Sequence, residues 1–390
     1  MMKLSARIRS RLIANHAQAT PAEVAAALRD EGIVLGEGAL MALVAELRRE
    51  FLGAGVLETL LHQPGVTDVL VNGPRDVWID RGHGLERAPV FFNDADEVRA
   101  LAQRLAAAVG RRLDEASPFV DARLDSGVRL HAVLAPIACD GAVISLRVPS
   151  ATAFTLDELV VKGTLDKGGA AWLRALVQAR CAFLISGGTG SGKTTILGAL
   201  LGLVPHDERI VIVEDSAELQ PDHPHVIRLQ SRLPNLEGAG AITLQALVRQ
   251  TLRMRPDRIV VGEVRGAEVI DLLSALNTGH EGGCGTVHAN SAADVPARLE
   301  ALGLQAGLGR DALHALLAAG LAAVVHLRRS RQGLREVEGI HVVACDEQRR
   351  VQLLPALVRR HGRLEPDAGI DALRRQLREH APDAVAGPAA

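Results

Sequence analysis

Hydrophobic positions in this chain change period twice. Up to about residue 60 they recur every three or four residues, the spacing of helices with one buried stripe. Thr20-Pro21-Ala22-Glu23 reads as a helix start, with Thr20 as N-cap, Pro21 in the first position and Glu23 in the capping-box place. A second helix is expected near 39–52. From 66 to 149 short alternating segments take over: VTDVLVNG and DVWIDR around an Asn-Gly-Pro turn, then VRLHAVLAPI and AVISLRV, with the amphipathic stretch DADEVRALAQRLAAAVG between. These predict a small α+β domain. From 171 onward continuous apolar runs (CAFLIS, RIVIVE, RIVVGE, CGTVHA) alternate with helical segments at 192–203, 243–253, 267–278 and 292–302. Strand–helix alternation of this kind predicts an α/β fold, a mostly parallel sheet with helices on both faces. The expected layout is a helical segment over 1–55, an α+β domain over 56–150, a linker over 151–165, the parallel-sheet domain over 166–362 and a helical or flexible tail over 363–390.

The parallel-sheet reading places the chemistry. CAFLIS runs into Gly187-Gly188-Thr189-Gly190-Ser191-Gly192-Lys193-Thr194-Thr195, and a helix follows. This is a phosphate-binding loop in its required strand–loop–helix setting. Backbone N–H groups and the helix N-terminus meet phosphate oxygens, Lys193 neutralises β/γ oxygens, and the Thr194 hydroxyl serves Mg2+. ATP and Mg2+ are therefore the expected ligands. RIVIVE ends in Glu214, followed by Asp215 and, three residues on, Glu218. A parallel strand beside the loop delivers Glu214 to the ligand edge of the sheet, where it holds a metal-bound water; Glu218 is either a second acid or solvated. RIVVGEVRG ends in Glu263, placed to activate the attacking water. Such runs usually end in Asp-Glu, and here the aspartate's place is Gly262. Arg265 either joins the γ-phosphate shell or pairs with a carboxylate. In TGHEGGCGTVHANS, His288 ends a strand and is the candidate γ-phosphate sensor, with His280 an open alternative. Arg123, Arg129 and Arg147 of the preceding domain are candidate phosphate cations or surface residues.

Composition narrows this only a little. Hydrophobic residues make up 48% and charged residues 23%, with a formal net charge of -2, so no global field calls for nucleic acid or an acidic membrane. Four of the 44 basic residues are lysine, which makes Lys193 stand out. Cysteines 139, 181, 284 and 345 form no CxxC pair, which argues against zinc and disulfides and fits a reducing cytoplasm. The longest apolar run, 312–327, falls short of the roughly 20 residues of a spanning helix. The basic N-terminus lacks the apolar core of a signal peptide and reads as an amphipathic surface helix, with a transit peptide as the alternative.

GGTGSGKTT, RIVIVEDSAEL, RIVVGEVRG and TGHEGGCGTVHANS, in this order, resemble the Walker A, Asp box, Walker B and His box of the secretion ATPase superfamily. The segments VTDVLVNGPRDVWIDRGHGLERAP, GRRLDEASPFVDARLDSGVRLHAV and ISLRVP are similar to the N-terminal domain of its tight-adherence branch, the CpaF/TadA-type ATPases of Flp pili. The resemblance spans roughly 55–345. It implies a RecA-like ATPase domain in a homohexamer, each nucleotide held between the two domains of a subunit. It carries Glu214 over as the Asp-box acid, Glu263 as the catalytic glutamate and His288 as the His-box residue, with Arg129, Arg147 and Arg123 reaching the γ-phosphate. Its implied work is assembly of Flp pili through inner-membrane platform proteins, from the cytoplasmic face of that membrane. A conjugal-transfer or type IV secretion ATPase is the alternative; a nucleic-acid motor and a nucleotide-gated scaffold are more distant ones, and no specific nucleic acid is expected. Glycine at 262 then reads as a family feature rather than a lesion.

Overall fold

The computed structural model describes residues 7, 8, 11, 21–33, 35, 36, 38–41, 43, 44, 53–82, 84–149, 153–232, 234, 239–330 and 333–380. The expected N-cap Thr20, most of the first basic helix and the later part of the helix near 39–52 lie outside these residues. The chain divides into two units, 1–150 and 151–390.

In the first unit, helix α1 (Pro21–Asp30) buries Val24, Ala27 and Leu28 in a small cluster with Ile8, Leu43 and Val44. A short helix α2 (Glu58–Leu61) leads into β1 (Asp68–Gly73), β2 (Asp76–Asp80) and β3 (Leu85–Arg87), with the Asn-Gly-Pro turn between β1 and β2. Helix α3 (Ala95–Ala108) starts at Asp94, whose side chain accepts from the Glu97 N–H, and buries Val98, Leu101, Ala102, Leu105 and Ala106 on one face. Strands β4 (Phe119–Arg123), β5 (Arg129–Val133) and β6 (Val143–Arg147) complete an antiparallel sheet of order β3-β2-β1-β6-β5-β4. Alternation puts Val69, Val71, Leu130, Ala132, Ile144 and Leu146 into the core with α3. The residues between them face the other way.

The second unit opens on α4 (Leu156–Val161), inside the segment read as a linker. The Thr155 and Glu158 side chains close a capping box at its start. The unit continues through α5 (Lys167–Gln178), β7 (Phe183–Gly187), α6 (Lys193–Leu201), β8 (Ile210–Glu214), β9 (Val226–Gln230), α7 (Leu244–Thr251), β10 (Arg258–Val264), α8 (Glu268–Leu276), β11 (Cys284–His288), α9 (Val295–Gln305) and α10 (Arg310–Gly320). It ends with β12 (Ala323–Arg329), β13 (Arg335–Cys345), β14 (Val351–Arg360), β15 (Arg363–Pro366) and α11 (Ile370–His380). The sheet has nine strands in the order β15-β14-β13-β12-β7-β11-β10-β8-β9. From β12 to β9 every pair is parallel; β13, β14 and β15 extend it antiparallel.

Helices cover both faces, as the apolar runs require. Phe183, Ile185, Ile212 and Val325 pack with α4, α5, α6 and α11; Leu184, Val213, Val261 and Val324 pack with α7, α8, α9 and α10. The apolar run 312–327 is not one segment. Its first part is α10 and its last part is β12, with the break at Gly320 and Leu321. Among the described residues no helix is long and apolar enough to cross a membrane. At the far edge of β10, Arg258 is 1% exposed, pairs with Glu208 at 2.6 Å and donates to the Val177 carbonyl at 3.1 Å. Because the inner strands are parallel, Gly187, Glu214, Glu263 and His288 all arrive at one edge.

Candidate nucleotide site

β7 is buried along its whole length and stops at Gly187, φ +149°. A Cβ at this position would lie 2.5 Å from the Leu327 carbonyl oxygen and 2.7 Å from Ser191 Oγ, so only glycine lets the chain turn there. The loop closes at Gly192, which caps α6 in a left-handed conformation (φ 96°). Ser191 is 1% exposed, and its Oγ has no protein partner. An unanswered buried hydroxyl costs about 1–3 kcal/mol, a cost that a ligand oxygen would remove. The Lys193 ammonium is buried and donates to the Gly187 and Gly188 carbonyls, both at 2.9 Å. Burial lowers its pKa, and the nearby Glu263 charge opposes that. Thr194 and Thr195 follow, half-buried, on the first turn of α6. The glycines, the orphan hydroxyl and the buried ammonium together suit a polyphosphate.

One of the expected residues meets Lys193 directly and links it to a second. His288 Nε2 lies 3.3 Å from Lys193 Nζ and 3.2 Å from Glu263 Oε1. One nitrogen cannot serve both: bare, it accepts from Lys193; protonated, it donates to Glu263. Burial lowers the His288 pKa first, then the Lys193 charge; Glu263 pulls the other way, and Arg298 and Arg265 lower it further. A neutral imidazole thus stands between a cation and a carboxylate, with its proton position deciding which of the two it binds. His280 is not part of this group. It precedes β11, so it lies at the strand's N-terminal end, away from the P-loop edge, in the turn that leaves α8.

Glu214 reaches the expected edge, but its carboxylate turns to the backbone. It is 4% exposed; Oε1 accepts from the Glu218 N–H at 3.0 Å and the Leu219 N–H at 3.1 Å. Burial raises its pKa, and these two hydrogen bonds act against the rise. As placed, Glu214 pins the chain that leaves β8. Glu214→Ala strands the buried Leu219 N–H and is expected to lower stability by about 1–3 kcal/mol, whereas Glu214→Gln keeps an acceptor and loses less. Urea unfolding midpoints of the two variants check this.

Gly262 explains how Glu214 fits. A Cβ on residue 262 would lie 2.6 Å from Glu214 Cγ and 3.1 Å from its Oε1. The place where an aspartate side chain would begin is filled by the glutamate from the neighbouring strand. The Gly262 carbonyl in turn accepts from Thr286 Oγ1 at 2.6 Å, which ties β10 to β11 beside Glu263. Arg265 takes the carboxylate alternative: its guanidinium pairs with Asp215, which also accepts from Ser231 Oγ at 2.8 Å. Among the described residues no trio of His, Cys, Asp or Glu is arranged to hold a metal ion. A magnesium ion here would rest on the Thr194 hydroxyl, phosphate oxygens and water, which suits its preference for keeping a hydration shell.

The three arginines of the first unit form a row. Arg123 is the register partner of Arg129, and Arg129 of Arg147, on the sheet face away from α3. Arg147 in turn faces Asp68. Three cations were missed in the sequence. Arg298 of α9 lies close enough to lower the His288 pKa. Arg329 and Arg335, which flank the turn of the β12–β13 hairpin, border the P-loop. Arg329 Nη1 is 3.6 Å from where a Cβ on Gly190 would sit, and Arg335 Cδ 3.3 Å from that on Gly192. The parallel pairing of β12 with β7 brings Arg329 here, and the pairing of β13 with β12 brings Arg335 beside it.

Comparison with known proteins gives a consistent answer. The family described as "Type II/IV secretion system protein" matches residues 50–368. A putative conjugal transfer protein of Mycobacterium tuberculosis is 54% identical over 322 residues, 81% of this chain and 92% of the relative. The conjugal transfer protein TrbB of Rhizobium radiobacter is 32% identical over 287 residues, 72% of this chain and 85% of that protein. Among solved structures, the ATPase DotB of Yersinia pseudotuberculosis superposes with a TM-score of 0.51 at 17% identity, over 77% of this chain and 76% of that one. At that identity the likeness is one of fold alone.

Proposed function

Because this chain belongs to the type II/IV secretion system protein family, we propose that it is an ATP-hydrolysing motor of a secretion or transfer machine. The observation that supports this best is the meeting of Lys193, His288 and Glu263 at the mouth of a P-loop that holds an orphan buried hydroxyl. In this reading the loop amides and Lys193 hold the phosphates, and Glu263 orients the attacking water and takes its proton. His288 reports the γ-phosphate by exchanging its Lys193 and Glu263 partners. Thr194 would hold magnesium, which would supply charge neutralisation at the phosphates. Glu214 shapes the wall behind Gly262 and is also proposed to face the metal's water shell. Arg123, Arg129 and Arg147 are proposed as an anion-binding row. Assembly as a homohexamer on inner-membrane platform proteins is the expected working state.

Two machines remain as readings. The relatives' names support conjugal transfer or type IV secretion at least as well as assembly of Flp pili. A deletion strain separates them: loss of DNA transfer with surface filaments kept supports the first, the reverse the second. For the motor itself, the purified full-length chain is expected to release phosphate from ATP with Mg2+, to stop on chelation with EDTA, and to be unmoved by single- or double-stranded DNA. Silence of the hexamer with Mg2+ would remove the motor reading, and strong stimulation by DNA would turn it toward a nucleic-acid motor.

A further inference from the structure

His326 is a buried histidine that the proposed reaction does not use. It lies on β12, in register with Ser186 of β7, one residue before Gly187. It is 3% exposed among apolar neighbours on its own strand, and an aliphatic side chain there would avoid burying polar nitrogens. Its ring nitrogens are engaged instead. Nδ1 lies 2.8 Å from Ser186 Oγ, Nε2 lies 3.6 Å from Glu338 Oε2, and β12 packs against the turn that follows His288, whose Asn290 backbone bears on the ring. The partners assign the tautomer: Nε2 carries the proton, and Nδ1 accepts from the serine hydroxyl. Burial and, less strongly, the Lys193 charge favour this neutral ring, while Glu338, Asn290 and Asp294 act in the opposite sense. His341 on β13 adds no competing charge, since burial and its neighbour His326 hold its own pKa at about 4.

What the ring joins gives it a role. Ser186 is the last strand residue before the P-loop turn, and Asn290 lies two residues beyond His288. β11 pairs with β7 on the opposite side from β12, with His288 in register with Gly187. The strand ladder alone sets the separation of the P-loop and β11 only up to His288; the chain beyond it has no ladder partner on β7. The imidazole is held to Ser186 and belongs to a strand packed against that turn, so it is placed to supply the tie. We propose that His326 is a positioning residue that clamps the start of the P-loop to the turn after His288, and so holds His288 within reach of both Lys193 and Glu263. This rests on the proposed ATPase activity for its effect on turnover, but not for its effect on His288.

The test is a kinetic and spectroscopic series on the full-length protein. His326→Leu is expected to lower kcat about tenfold, with KM for ATP within about threefold, because misplacing one group near the reacting centre costs turnover more than binding. His326→Gln, whose amide both accepts and donates, is expected to recover most of that loss. Ser186→Ala should fall between them and add little to His326→Leu in the double variant. The ring resonances of His288, assigned by its own substitution, should move in His326→Leu and return in His326→Gln. Wild-type kcat in His326→Leu, an unmoved His288 resonance, or a glutamine variant that melts normally yet is as impaired as the leucine one overturns the proposal. If His326→Leu does not fold, the glutamine and Ser186→Ala variants decide on the same readouts. A wild-type protein without turnover, whose His288 resonance still responds to residue 326, defeats the ATPase reading and leaves the clamp standing.

Discussion

Glu263→Gln is expected to bind ATP as tightly as the wild type and to hydrolyse it about 10²–10⁴-fold more slowly, the range that a positioned general base contributes. The substitution is nearly isosteric, and an amide oxygen still accepts from His288, so the 3.2 Å contact and the strand end survive. What would be lost is the negative charge proposed to take a proton from water. Lys193→Ala provides the contrast. Lys193 has no second role in the sheet; its ammonium lies over the Gly187 and Gly188 carbonyls, so its removal is expected to weaken nucleotide binding and turnover together. Fluorescent-nucleotide titration alongside phosphate release separates the two patterns. If Glu263→Gln turned over ATP at the wild-type rate, the water-activating role would pass to another group, and the two carboxylates at the end of β8 and just beyond it, Glu214 and Asp215, are already committed to backbone and to Arg265.

Most parts of this site that were legible in the sequence share one property: they end parallel strands. A buried parallel strand is a continuous apolar run, and the first polar residues at its C-terminal end must lie at the ligand edge, so Glu214, Glu263 and His288 could be placed from pattern alone, and Lys193 from the loop motif that follows β7. The antiparallel half of the sheet offered no such signal. β12 is fused in sequence to the end of α10 through uninterrupted alanines, leucines and valines; β14 contains Pro355; and the register of β13 against β14 slips between Ile340 and His341. With β12 unseen, so were Arg329, Arg335 and His326, whose partner Ser186 lies 140 residues away. Side-chain direction was equally hidden. Spacing brings Glu214 to the edge but does not say that its carboxylate turns back onto the Glu218 and Leu219 amides. It also gives no means of choosing between Arg265 as a phosphate ligand and as the partner of Asp215.

Gly262→Asp tests how far the site depends on that hidden direction. The substitution restores the aspartate usual at the end of such a strand, and on motif reasoning it adds a metal ligand and raises activity. The geometry predicts the opposite. Its first side-chain atom would sit 2.6 Å from Glu214 Cγ and 3.3 Å from Cδ, well inside contact distance, in a wall that is already filled. Either Glu214 swings away and releases the Glu218 and Leu219 amides, or β10 shifts and carries Glu263 out of reach of His288. Overpacking of this kind costs about 1–3 kcal/mol, and a second carboxylate beside a buried one adds to it. A total of about 3–5 kcal/mol in unfolding free energy is expected, with turnover lower than the wild type. Gly262→Ala isolates the steric part, since the methyl group alone meets Glu214. Glu214→Ala in the Gly262→Asp background should then recover stability rather than lose more, a coupling of at least about 1 kcal/mol between two substitutions that are each destabilising alone. Activity above wild type in Gly262→Asp, with an unchanged melting temperature, would show that the space at 262 belongs to the metal and not to Glu214.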